Sequence, residues 1–131
     1  MGSGVVGGAE AMTEAEADDN PDRLLHILRM TLRAEIGSDQ PELSLRQLAI
    51  LLLVYRTKEL QSASALVDHL CIPKSSVTRA LDHLQDLDLA SRVTNDQDRR
   101  RVLVHQTARG AAMVERLGTA MANETVENGA V

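Results

Sequence analysis

Between Ser62 and Gly110 the chain changes its hydrophobic period twice, and this stretch limits the fold more than any other. SASALVDHL opens on serine and carries Ala65, Leu66 and Leu70 inward at helical spacing, so it reads as a short helix capped by Ser62 or Ser64. Cys71-Ile72 follows as a turn. From Pro73 to about Asp86 a second helix is predicted, with Val77, Ala80, Leu81 and Leu84 on its buried side. That leaves Lys74, Ser75, Thr78, Arg79, Asp82 and His83 outward, with Ser76 at the border. Ala90–Thr94 and Arg101–Gln106 then read as two short strands, with Val102 and Val104 sharing one face and Leu103 and His105 the other. Residues Asn95 to Arg99 join them as a charged tip, whose Asn and Asp tolerate turn geometry. The expectation is a mainly α fold with a small β-wing: a winged helix-turn-helix.

The remainder of the chain frames this segment. Asn20 caps a helix with Pro21 at its first position, and Leu24, Leu25, Leu28, Leu32 and Ile36 recur along it until Gly37. SDQPE, residues 38–42, is a loop. Leu43 to Tyr55, which Ser44 can cap, is apolar almost all round, as suits a central helix covered on several sides. Thr57 to Gln61 is a connector. Thr107 caps a last helix reaching about Asn123, where Val114, Leu117 and Met121 share a face to which Met113 adds. Residues 124–131 are expected to fray. Residues 1–20 hold Gly, Ala and acids with few large apolar side chains, and burial there cannot offset ordering entropy. They are expected to be a disordered acidic tail. The folded part is then one domain, 21–123, with 43–106 as its core.

Composition narrows the function classes. Tyr55 is the lone aromatic residue, so the core must be built from Leu, Ile, Val, Ala and Met. The single cysteine, Cys71, excludes an internal disulfide and suits a reducing cytoplasm. No apolar run is long enough to span a bilayer, and nothing resembles a secretory signal. The net charge of −5 at first argues against a nucleic-acid partner. Yet Glu10, Glu14, Glu16, Asp18 and Asp19 lie in the tail with no Lys or Arg, and they account for the whole excess. The run Arg99-Arg100-Arg101 is locally dense in positive charge. His26, His69, His83 and His105 fall on different elements without metal-ligand spacing, so no metal or cofactor is expected. No Ser-His-Asp set, Gly-rich phosphate loop or HExxH motif is present to carry an enzyme reading.

A B-DNA major groove admits an α-helix, and its base edges differ for every pair. The outward residues of the Pro73–Asp86 helix suit that task. Arg79 can take guanine O6 and N7 together, Ser75 and Thr78 can bond bases, and Lys74 and Ser76 can hold phosphates. Backbone N–H groups at the start of the helix capped by Ser62 or Ser64 can also meet phosphate.

The run LVDHLCIPKSSVTRALDHLQDLDLASR followed by NDQDRRRVLVHQTARG resembles the DNA-binding domain of MarR-family regulators. The likeness covers roughly Leu43 to Leu117. It rests on the helix Lys74-Ser75-Ser76-Val77-Thr78-Arg79, the wing Asp98-Arg99-Arg100, and Thr107 three residues before Gly110. The resemblance implies a homodimeric, sequence-specific transcription regulator, and repression by occluding a promoter rather than activation. It gives Arg100 to the minor groove, with Asp98 orienting the arginines and Arg99 on phosphate or sharing the groove. It also implies a dimer through the terminal helices, by Leu24, Leu25, Leu28, Leu32, Val114, Leu117 and Met121. Such a dimer would bind a pseudo-palindrome with half-sites about one helical turn (~34 Å) apart. A small-molecule effector is a further expectation, with His26, Arg29, Met30, Arg33 and Tyr55 as candidate lining. The chain departs from the family pattern in four places: Asn95 and Gln97 replace an Asp and an Arg, Cys71 replaces a turn glycine, and Pro73 replaces a capping serine. The acidic balance and the reduced wing leave an alternative, a winged helix that docks another protein rather than DNA.

Overall fold

The structure is a computed structural model that describes residues 20–94, 96–97 and 101–130, with side chains to 126 in the last helix. The tail expected over residues 1–19, and Asn95, Asp98, Arg99 and Arg100 of the wing tip, lie outside the described residues. In chain order the elements are α1 (Pro21–Ile36), α2 (Leu45–Arg56), β1 (Gln61–Ser62), α3 (Ala63–Leu70), α4 (Lys74–Asp86), β2 (Ala90–Thr94), β3 (Val102–Gln106) and α5 (Ala108–Ala130). They form two compact units: residues 39–117, and residues up to 38 together with 118 onward.

In the 39–117 unit, side-chain caps fix where the helices begin. Ser44 accepts from Gln47 N at 3.1 Å while Gln47 Oε1 accepts from Ser44 N at 2.8 Å, a reciprocal box that starts α2 two residues later than Leu43. Ser62 Oγ accepts from Ala65 N at 3.1 Å and so caps α3. Pro73 has no side-chain acceptor to offer and sits as N-cap outside α4, which therefore begins one residue later than predicted. Thr107 Oγ1 accepts from Gly110 N at 3.0 Å and donates to Asp88 O at 2.7 Å, which ties the start of α5 to the link after α4.

The core is aliphatic, as the composition requires. Ile50, Leu51 and Val54 of α2, Leu66 of α3, and Val77, Ala80, Leu81 and Leu84 of α4 pack with Leu89, Ala90, Val104 and Met113. Full burial of a Leu, Ile or Val side chain contributes about 1.5–3 kcal/mol each. The α4 set is the stripe that helical spacing selects. The sheet has three strands, in the order β1-β3-β2, rather than the expected two. Gln61 pairs with Val104 and Ser62 with Leu103, both antiparallel. Two residues are too few to show alternation, so the sequence reads them as connector and cap.

Cys71 ends α3 in the left-handed region, at φ 55° and ψ 41°, and is exposed. A β-carbon there meets its own carbonyl, at a cost of about 1–2 kcal/mol that glycine avoids. Glycine loses more chain entropy on folding, so the two effects partly cancel. Cys71→Gly is expected to stabilise the protein by about 0.5–1 kcal/mol, which thermal melting should show as a rise of a few degrees. A melting point that falls would mean the turn needs the thiol.

In the other unit, Asn20 Oδ1 accepts from Arg23 N at 2.9 Å, the cap the sequence predicts. Of the α1 side chains only Ile27 and Thr31 are buried. Helix α5 runs to Ala130, past the expected fraying point near Asn123. Its end is held by side chains of α1. Arg23 Nη2 donates to Thr125 O at 2.7 Å, and His26 Nε2 lies 3.7 Å from Glu124 Oε1. These contacts support the helix beyond Asn123.

Candidate nucleic-acid interface

The face of α4 turned away from the core is where the sequence-predicted readers stand. Lys74, Ser75, Thr78 and Arg79 are exposed, as are Asp82 and His83, while Ser76 is half-buried. The buried stripe fixes the helix's rotation, so these residues cannot turn inward without exposing Val77, Leu81 and Leu84.

On either side of that face lies a cleft. The first, of about 420 Å³, is lined by Ser62 and Ser64 at the start of α3, Lys74 and Thr78 of α4, Arg92 of β2 and Arg101 just before β3. The second, of about 250 Å³, lies along Arg46, Ser76, Arg79 and His83. With 3.6 residues per turn, Lys74, Thr78 and Leu81 fall on the opposite side of α4 from Ser76, Ala80 and His83. The candidate base readers Ser75, Thr78 and Arg79 thus have a cationic cleft on each flank.

Two contacts at this face escape the sequence reading. Arg92 of β2 sends Nη2 to Asp82 Oδ1 at 2.5 Å, and both its Nε and its backbone N donate to Gln85 Oε1 at 3.1 Å. This clamps the root of the wing hairpin to α4. Asp82 and Gln85 are three apart and therefore share a helix face, the one available hint. Arg46 of α2 donates from Nη1 to Ser76 Oγ at 3.2 Å, and nothing local in the sequence announces it.

Asp98, Arg99 and Arg100 lie outside the described residues. Arg101, the run's last arginine, is exposed. Among the dimer candidates, Leu24, Leu25, Leu28, Leu32 and Met121 are exposed. Val114 packs against the core of its own chain beside buried Met113, and Leu117 is half-buried. That end of α5 is spent within its own unit. Tyr55, a candidate for effector lining, has its hydroxyl engaged: it donates to Leu89 O at 2.7 Å and accepts from Thr107 N at 2.8 Å. Among the described residues no three His, Cys, Asp or Glu side chains converge to hold a metal ion, and no helix is long and apolar enough to cross a membrane.

Two helices crossing at a tight turn, with the second exposed beside an antiparallel hairpin clamped to it, make a winged helix-turn-helix. A MarR family model matches residues 42–101, most of the 39–117 unit. Solved structures share the fold. The transcriptional regulator Tm0710 from Thermotoga maritima is 18% identical with a TM-score of 0.69, over 83% of this chain and 74% of that one. RV1404 from Mycobacterium tuberculosis is 20% identical with a TM-score of 0.63, over 89% and 80%. The overoxidized AbfR bound to DNA is 19% identical with a TM-score of 0.58, over 78% and 71%. A search of curated proteins finds no match.

Proposed function

We propose that the chain is a homodimeric, sequence-specific DNA-binding regulator that represses by occluding a promoter. Helix α4 reads base edges in the major groove through Ser75, Thr78 and Arg79, and Lys74 and Ser76 hold phosphates. The starts of α3 at Ser62 and Ser64 add backbone and hydroxyl contacts to phosphate. Arg99 and Arg100, carried between β2 and β3, serve the minor groove with Asp98 beside them in sequence. The observation that carries this reading is the reading face of α4, polar, exposed and flanked by two cationic clefts, on a helix whose rotation the core fixes. A related fold, AbfR, is known bound to DNA, which supports the same use here.

The homodimer draws support from α1. Leu24, Leu25, Leu28, Leu32 and Ile36 are 41–66% exposed, a row of large apolar side chains that water-facing helices avoid. A two-fold partner covering that row, with Met121, would set two reading helices on successive turns of a duplex. Selection of bound duplexes from a random library tests the proposal. The expected product is a pseudo-palindrome whose affinity falls steeply with salt, since phosphate contacts release counterions. Failure to enrich any sequence would overturn the regulator reading in favour of a protein-docking winged helix.

A further inference from the structure

The cleft between α2 and α4 flanks the reading helix on the side away from the wing, and its chemistry is unbalanced. Its walls carry Arg46, Arg79 and His83 and no carboxylate. Among the described residues none of the three has an acidic partner. Arg46 is exposed, yet its guanidinium is oriented: Nη1 is bound to Ser76 Oγ, and its other donors have no protein acceptor among the described residues. A guanidinium has five N–H donors in a planar fork that matches two oxygens of a phosphate. An oriented fork with one tine used is suited to such an anion.

The position of the cleft says which anion. An α-helix with its side chains is about 10–12 Å across and the major groove about 12 Å wide, so a helix seated there is bordered by both phosphate strands. One flank of α4 already has Lys74, Arg92 and Arg101. The opposite flank has the Arg46 cleft.

We propose that Arg46, oriented by Ser76 and assisted by His83, binds a backbone phosphodiester of the duplex on the side of α4 away from the wing. The proposal rests on the DNA-reading function above and adds to it a contact from α2. It makes α2 a strut against the sugar-phosphate chain, so the depth at which α4 enters the groove is set from both flanks.

The test uses the full chain and its selected duplex. Arg46→Ala is expected to weaken binding about tenfold, equally on selected and random sequences, and to lower the slope of log affinity against log salt by about 0.9 per half-site. Base preference and melting temperature should stay as in the wild type, and Arg46→Lys should recover part of the affinity. Methylphosphonates, placed one at a time along the duplex, supply an independent readout. One position per half-site should weaken the wild type and leave Arg46→Ala indifferent. An Arg46→Ala variant with wild-type affinity and slope overturns the phosphate site alone. So does a loss of affinity with an unchanged slope and a lowered melting point. A wild type that selects no duplex overturns the regulator reading and this site with it.

Discussion

Replacing Gly110 by alanine is expected to lower the stability of the protein by about 3 kcal/mol and its melting point by roughly 10–20 °C, although the residue lies in a helix. In an ordinary helix interior the same change would gain about 0.5–1 kcal/mol, because glycine forfeits more chain entropy. Packing reverses the sign here. A β-carbon at Gly110 would stand 1.9 Å from the Tyr55 hydroxyl oxygen and 2.1 Å from Leu89 O. Neither neighbour can yield easily. Leu89 O is backbone at a residue that is itself fully buried. The Tyr55 ring is held by its bonds to Leu89 O and Thr107 N. Relief of the overlap must break one or both of those bonds, at about 1 kcal/mol each, or push α5 off the core. Gly118 in the same helix is the control, since nothing lies within 4 Å of the β-carbon it would gain. Gly118→Ala should melt at or slightly above the wild-type temperature. Tyr55→Phe should not rescue Gly110→Ala, because Leu89 O remains. A Gly110→Ala protein that melts within a degree of the wild type would refute this account of the α2–α5 junction.

That junction separates what the sequence reveals from what it conceals. The pair Thr107 and Gly110 was visible as part of a family resemblance, but the reason for the glycine was not. It depends on Tyr55, more than fifty positions earlier, arriving over the same spot. Short-range signals were readable because their causes are local. The caps at Asn20, Ser44, Ser62 and Thr107 act within three residues, and the stripe of Val77, Ala80, Leu81 and Leu84 follows from helical geometry alone. Cys71 was legible as a strained turn residue only through the resemblance, which puts glycine at that position. Contacts between distant side chains have no such signature. Arg92 clamping Asp82, and Arg46 meeting Ser76, are fixed by how elements stack, and periodicity carries no information about that. Strand β1 exists because β3 lends it a ladder, and α5 continues to Ala130 where α1 grips it at Glu124 and Thr125. In both cases a tertiary partner decided what the local sequence left open.

Arg79→Ala is expected to remove base discrimination at one position of each half-site, with a loss of roughly tenfold to a hundredfold in affinity per half-site. A bidentate arginine–guanine pair contributes about 1–3 kcal/mol of preference over other bases, and no other exposed residue of α4 offers a planar fork to replace it. Stability should not change, because Arg79 is exposed and, among the described residues, has no carboxylate partner to abandon. The variant therefore separates reading from folding. Duplex selection repeated with Arg79→Ala should return the same palindrome with one guanine per half-site made degenerate. Arg100→Ala, by contrast, should weaken all duplexes alike, in the manner expected of Arg46→Ala. If Arg79→Ala returns every position of the palindrome intact, base readout belongs to other residues and the assignment of this face fails. If neither arginine affects any duplex, the exposed side of α4 is better understood as a surface for another protein, with Ser75, Thr78 and Arg79 as its polar contacts.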